Sequence, residues 1–279
     1  MLFRSLCVVN VVFSISATVE NSIILLALFQ CRTISSSSKA LFYSLALSDF
    51  GVGMVAQPLQ VATALGALHG NLELFCSIQP FYAVVAYFFC AVSFSTTTAI
   101  SIERYLALRL RIRYGLITTV KKVTLVVVLL WICSSIWAVS RMWNIRVNKI
   151  SAIILGFSSI VITSSCYFRI YQTLRASKTR VTNEAATRQP RKTFNMILYR
   201  KSVNSMLTVF GFLVACYTPY LCAIIAVALF GYSSPVVLST NLTSVVIFLN
   251  SSINPFVYCW RIREIRSKVM LMMRKLPVH

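Results

Sequence analysis

Four polar side chains in an otherwise apolar sequence stand at nearly the same count from a basic residue. Asn21 lies 11 residues before Arg32, Asp49 lies 10 after Lys39, Ser93 lies 11 before Arg104, and Asn250 lies 11 before Arg261. At the helical rise these counts place all four about 15–16 Å from a basic boundary, with Asn254 one turn nearer to it. A carboxylate with oxygen-bearing partners at one depth suits two chemistries: a monovalent cation held by hard oxygen ligands, or a protonation site. Each Ser or Asn taken singly could instead bond locally and help helices pack. The shared pocket is the better reading, because a charge at mid-membrane costs about 2.5–3.5 kcal/mol on insertion scales and Asp49 must recover it from partners. Asp49, Ser93, Asn250 and Asn254 are the candidate ligands, with sodium as the candidate ion and no other cofactor expected. Glu20, beside Asn21, faces either the bundle interior or lipid, and the sequence leaves both open.

The elements that position these residues follow from composition. The chain has 279 residues, 58% hydrophobic and 12% charged, with a mean hydropathy of +0.78. Soluble domains carry about 25% charged residues, so a soluble enzyme, a secreted disulfide scaffold and a disordered chain all fit poorly. Apolar stretches long enough to cross a bilayer run over about 6–30, 40–66, 76–103, 123–141, 149–172, 203–230 and 236–260. This predicts an all-α fold, a single seven-transmembrane helix bundle over 1–279. The segment 261–275 alternates basic residues with Ile262, Ile265, Val269 and Leu271, which suits a short amphipathic helix on the inner membrane face. About 175–202 is the longest polar stretch, and Gln189-Pro190-Arg191 in its middle reads as a loop.

Of the 27 Lys and Arg, 23 fall at or beyond one set of span ends if the N-terminus is outside. Only Arg4, Arg141, Arg146 and Lys149 then lie on the outer side. The formal charge of +21 is thus mostly positive-inside charge facing anionic lipid or a cytoplasmic partner, rather than nucleic acid. The first span reads as an uncleaved signal-anchor helix. The triplets Asn241-Leu242-Thr243 and Asn250-Ser251-Ser252 lie within the seventh span and should be unmodified. Most of the nine cysteines sit in spans and read as small hydrophobes.

Six motifs appear in order on the expected spans. They are Asn21 on the first, Leu45-Ala46-Leu47-Ser48-Asp49 on the second, and Glu103-Arg104-Tyr105 ending the third. Trp131 follows on the fourth, Cys216-Tyr217-Thr218-Pro219 on the sixth and Asn254-Pro255-Phe256-Val257-Tyr258 on the seventh. Together they resemble the rhodopsin-like (class A) G-protein-coupled receptors over essentially the whole chain. In style the chain is most similar to the group with adenosine, melanocortin, cannabinoid and lysophospholipid receptors. The resemblance implies a plasma-membrane receptor with its C-terminus inside. Arg104 would pair with Glu103 when inactive and meet a heterotrimeric G protein when active, while Tyr105 completes the motif. Pro219 and Pro255 would kink their helices into switchable packings, and Tyr167 and Tyr258 would swing inward. Basic loops with Arg109, Arg111, Arg113, Lys121 and Lys122 would meet the G protein.

The departures from the family pattern also carry expectations. Tyr217 stands where the family has Trp, the fifth span has no proline, and Cys76 finds no cysteine in the loop at 142–148 to pair with. The stretch 196–204 offers no carboxylate to Arg104, which predicts raised basal signalling. The resemblance places the ligand cavity among Gln57, Gln60, Tyr82, Tyr87, Ser151, Tyr217, Tyr220, Asn241, Ser244 and Phe248. None is charged, so an uncharged or lipid-like extracellular ligand is expected. A biogenic amine would need a carboxylate in the third span, and 76–102 has none. A retinal Schiff base is excluded by the absence of lysine from the seventh span. A transporter would show repeat symmetry. Enzyme chemistry is disfavoured by having only His69 and His279. A receptor-shaped protein that does not signal, acting as a decoy or dimer partner, is the alternative.

Overall fold

A computed structural model describes residues 2–31, 34–110, 114–184, 211–212, 214–231, 234–261 and 263–275. Among these the helices are α1 (Leu2–Gln30), α2 (Ser36–Gly51), α3 (Gln57–Leu68), α4 (Leu72–Leu110), α5 (Tyr114–Ile117), α6 (Val120–Ser140) and α7 (Ile145–Glu184). They continue with α8 (Val214–Phe230), α9 (Ser234–Arg261) and α10 (Arg263–Lys275). A π-helical turn, Val52–Ala56, joins α2 to α3, so the two form one long rod and together make the expected second span. Five runs are long and apolar enough to cross a membrane: Arg4–Gln30, Ser36–Leu68, Leu72–Leu110, Val120–Ser140 and Ile145–Thr173. The helix α8 falls within the expected sixth span and α9 covers the seventh, and residues 203–210 and 213 of the sixth lie outside the described residues.

Local signals end the helices where the chain must turn. Gly70 adopts φ 66° in the turn after α3, a left-handed conformation that suits glycine. Asn71 then accepts from the Leu74 amide at 3.0 Å, and Asn144 does the same for Val147 at 3.0 Å. Each side chain satisfies an amide that has no partner inside its helix. Ser35 caps α2 by accepting from the Ser38 amide.

The long α4 is the axis of the bundle, packing against α2, α3, α6 and α7. One apolar cluster lies at the Arg104 end, where Ile24, Leu28, Phe42, Leu45, Ile170 and Ile265 are all at most 2% exposed. Ile265 belongs to α10, which packs on α1 and α9. A second cluster toward the opposite end joins Val52, Phe94, Cys216, Tyr217, Ile247 and Phe248. The outward faces are equally apolar: Val12, Ile15, Phe29, Leu125, Ile136, Ile154 and Phe157 are all exposed. In water such a belt would drive aggregation; on a membrane protein it is the lipid-facing surface. The contact between α1 and the second rod depends on Gly53, where an added Cβ would lie 2.8 Å from the Thr18 amide nitrogen. Ser14 donates to the Gly53 carbonyl there at 2.7 Å.

Candidate functional site

The polar layer assembles around Asp49, which is fully buried. Its Oδ1 accepts from Ser93 at 3.0 Å and Ser251 at 2.9 Å, and its Oδ2 accepts from the Asn254 amide at 2.7 Å. Asn250 is buried on α9, but the side chain that reaches Asp49 beside Asn254 is Ser251, and the candidate ligand set is corrected accordingly. The oxygens of Asp49, Ser93, Ser251 and Asn254 are the hard donors a monovalent cation takes. Asn21 completes the layer differently, donating to the Ser251 carbonyl at 3.1 Å and to the Ala17 carbonyl at 2.8 Å. Pro255, four residues after Ser251, has no N–H to give that carbonyl, and Asn21 supplies the missing donor from α1. Glu20 is half-buried and accepts from Ser16 on its own helix at 2.6 Å.

At the end of α4, Arg104 Nε lies 3.0 Å from Glu103 Oε2, with the guanidinium 5.7 Å from the Phe42 ring centre. Glu103 is buried and its Oε1 accepts from Ser38 at 2.8 Å and from the Tyr114 hydroxyl. Burial and the adjoining Glu103 carboxylate push the Tyr114 phenol above its ordinary range, so it remains a donor. Tyr105 points along the helix, where its hydroxyl accepts from Arg109 at 3.2 Å. Tyr167 is buried on α7 and accepts from Ser101 at 3.4 Å. The side chain of Tyr258, the loop residues Arg111 and Arg113, and the stretch 196–204 lie outside the described residues.

A cavity of about 740 Å³ occupies the half of the bundle away from Arg104. Gln60, Tyr82, Tyr87, Tyr217, Tyr220, Asn241, Ser244 and Phe248 all line it. Tyr217 stacks on Phe94 at 4.5 Å between centroids and both form part of the wall, with Phe94 directly following Ser93 of the Asp49 layer. Tyr220 donates to Tyr87 at 3.3 Å. Gln57 and Ser151 do not line the cavity. Gln57 is turned to α1, donating to Asn10 Oδ1 at 3.0 Å, while Asn10 donates to Gln60 Oε1 at 2.7 Å. Ser151 accepts from the Trp137 indole at 2.8 Å and donates to the Asn148 carbonyl at 2.8 Å. The cavity is also not free of charge, because Arg141 and Lys149 are in its wall. Pro219 sits in α8 and is exposed, and it is not among the residues that line the cavity.

The family model described as 7 transmembrane receptor (rhodopsin family) matches residues 20–152 and 140–258. The chain belongs to that family. The human histamine H2 receptor is 23% identical over 293 residues, covering 94% of this chain and 77% of that one. The adenosine receptor A3 of Ovis aries is 22% identical over 291 residues, covering 95% and 88%. Squid rhodopsin superposes with a TM-score of 0.79 at 16% identity, covering 98% of this chain and 85% of that one, which shows a common fold. This class A receptor is a multi-pass membrane protein and not an enzyme.

Within the receptor, four contributors are not marked by the sequence: Asn10, Ser38, Tyr114 and Ser251. Asn10 lies about three turns from Asn21 in the same apolar span and outside the level that the counts mark. Ser38 and Tyr114 meet Glu103 only through the packing of α2 and α5 against α4. Ser251 is next to the residue that was named, and only its rotation about the helix axis separates the two. All nine cysteines are free, and Cys76 is exposed.

Proposed function

We propose that this protein is a plasma-membrane receptor, N-terminus outside, that binds an extracellular ligand in the 740 Å³ cavity and activates a heterotrimeric G protein. The observation that carries this reading is the double role of Phe94 and Tyr217, which line the cavity and belong to the packed cluster of α4, α8 and α9. A ligand pressing on that pair repacks the interior of the bundle, and packed interiors pass between discrete arrangements rather than deforming smoothly. Beside the pair, the Asp49 layer ties α9 to α2 and α4, and a sodium ion there would favour one arrangement. At the far end, Glu103 holds Arg104 with help from Ser38 and Tyr114. Release of Arg104 exposes a cation to the G protein, with Arg109, Lys121 and Lys122 around it.

The body of the ligand is lipid-like, because apolar and aromatic side chains dominate the wall. Neither ligand in the relatives' names transfers directly. No Asp or Glu is among the described residues lining the cavity, so the ammonium of an amine such as histamine would find no counter-charge. The test is nucleotide exchange across a panel of G-protein subtypes at matched surface expression. Wild type should exceed mock cells, Arg104→Ala should abolish the signal, and Glu103→Gln should raise it several-fold. Silence from all three forms at the surface, with and without lipid extracts, would favour the non-signalling alternative.

A further inference from the structure

The cavity wall holds one group that the lipid-like reading does not use. Arg141 ends α6, and its guanidinium carbon sits 4.4 Å from the centre of the Tyr87 ring. Tyr87 is itself fixed, with Trp137 at 5.5 Å between centroids and the Tyr220 hydroxyl at 3.3 Å. Trp137 is braced in turn by Ser151 at 2.8 Å and by Asn148, which donates to its carbonyl at 2.8 Å. A guanidinium lying on a ring satisfies its face, whereas its N–H donors lie in its plane and require acceptors. Arg141 Nη1 is buried and has no acceptor among the described residues. A buried, charged donor left without an acceptor is costly. Lys149, from the first turns of α7, lines the same cavity, and no Asp or Glu is among the described residues that line it.

We infer that the ligand is an amphiphile with an anionic head, a carboxylate or a phosphate, that docks on Arg141 while its apolar body fills the cavity toward Phe94 and Tyr217. This revises the expectation of an uncharged ligand and rests on reading the cavity as the ligand site. The planar fork of Arg141 matches either head group in two-point fashion. Tyr87 holds that fork in place before the ligand arrives, so little side-chain freedom is lost on binding.

The experiment uses the full chain in nanodiscs of phosphatidylcholine, with ligand-induced melting shifts as the readout. The probes are oleate and oleoyl lysophosphatidate, oleyl alcohol as the neutral match, oleylamine as the cationic match, and inorganic phosphate as a head without a body. At least one anionic amphiphile should reach half-maximal stabilisation at a concentration at least tenfold below oleyl alcohol, with oleylamine weaker still. Arg141→Gln should erase that advantage, each variant's shift being read against its own unliganded melting point. Arg141→Lys, which keeps the charge and loses the fork, should keep only part of it. Equal half-maxima for anionic and neutral probes in wild type would overturn the inference, as would an advantage that survives Arg141→Gln. Stabilisation by phosphate alone equal to that by lysophosphatidate would overturn the amphiphile and leave a simple anion site. Should Arg141→Gln fail to fold, the wild-type probe series and Arg141→Lys still decide. G-protein exchange on the same preparation separates the two readings. Anion-selective binding without exchange defeats the signalling function and leaves this inference, whereas exchange triggered equally by oleyl alcohol does the reverse.

Discussion

Asp49 takes hydrogen bonds from α4 and α9, and Glu103 takes them from α2 and α5. Around the cavity, by contrast, Arg141 rests on a ring face with a buried donor unmet among the described residues. The two regions use their polar side chains differently. Where polar groups from several helices satisfy one another, they hold the bundle together and set its alternative packings. Where a charged group is fixed by aromatic rings and not neutralised, it is aimed at something that arrives from outside. Inside a membrane, where every unsatisfied polar group is expensive, that contrast separates internal machinery from a binding surface.

Substitutions can break or sharpen this contrast. The nine free cysteines allow melting to be followed with a thiol-reactive dye, since Cys31 and Cys216 are buried until the bundle opens. Asp49→Ala should give the largest loss, about 3 kcal/mol or more, because it orphans the donors of Ser93, Ser251 and Asn254 together. Asp49→Asn should keep most of the stability while abolishing any dependence of ligand affinity on sodium concentration. Gly53→Ala should cost about 1–3 kcal/mol, since the added methyl runs into the backbone of α1 at Thr18. Asn21→Ala should cost about 1–2 kcal/mol by leaving the Ser251 carbonyl beside Pro255 unmet. Tyr220→Phe, on the cavity side, should change melting by less than about 1 kcal/mol, while the concentration of oleate that gives half-maximal stabilisation shifts measurably. If the Tyr220 change melted the protein as readily as the Asn21 change, the two regions would not differ in the way described.

Much of the polar layer was legible in the sequence because depth along a helix is a count multiplied by a fixed rise. That is why the sequence places Asp49 and Ser93 on one level, with Asn254 one turn nearer the basic boundary. Rotation about the axis is another matter. Asn250 and Ser251 differ by about 100° of rotation, and which of them faces Asp49 is set by how α9 packs near Pro255. Gln57 and Gln60 show the same limit on the second span. The π-helical turn at Val52–Ala56 inserts extra chain into one turn and rotates everything after it, which brings Gln57 round to Asn10 and leaves Gln60 on the cavity. The sequence marks that turn only by Pro58, which also suits an ordinary helix start. Arg141 was read as an outer-loop charge because a tally of basic residues fixes the end of a span at which they lie. It says nothing about a long side chain folding back onto Tyr87. Ser151 sits at the expected depth, and the Trp137 indole claims it.

One dimension of the bundle has a mechanical consequence. The helix Ile145–Glu184 runs unbroken for 40 residues, about 60 Å at the helical rise, roughly twice the thickness of a bilayer's hydrocarbon core. Gly156, near its first third, lets Leu221 of α8 pack within van der Waals distance of the backbone, which gives the rod a fulcrum beside the cavity. The part from Gly156 to Glu184 is then a lever arm longer than the part from Ile145 to Gly156 that borders the cavity. A tilt of about 5° at that fulcrum carries the far end about 3–4 Å, several times the displacement at the cavity end of the same rod.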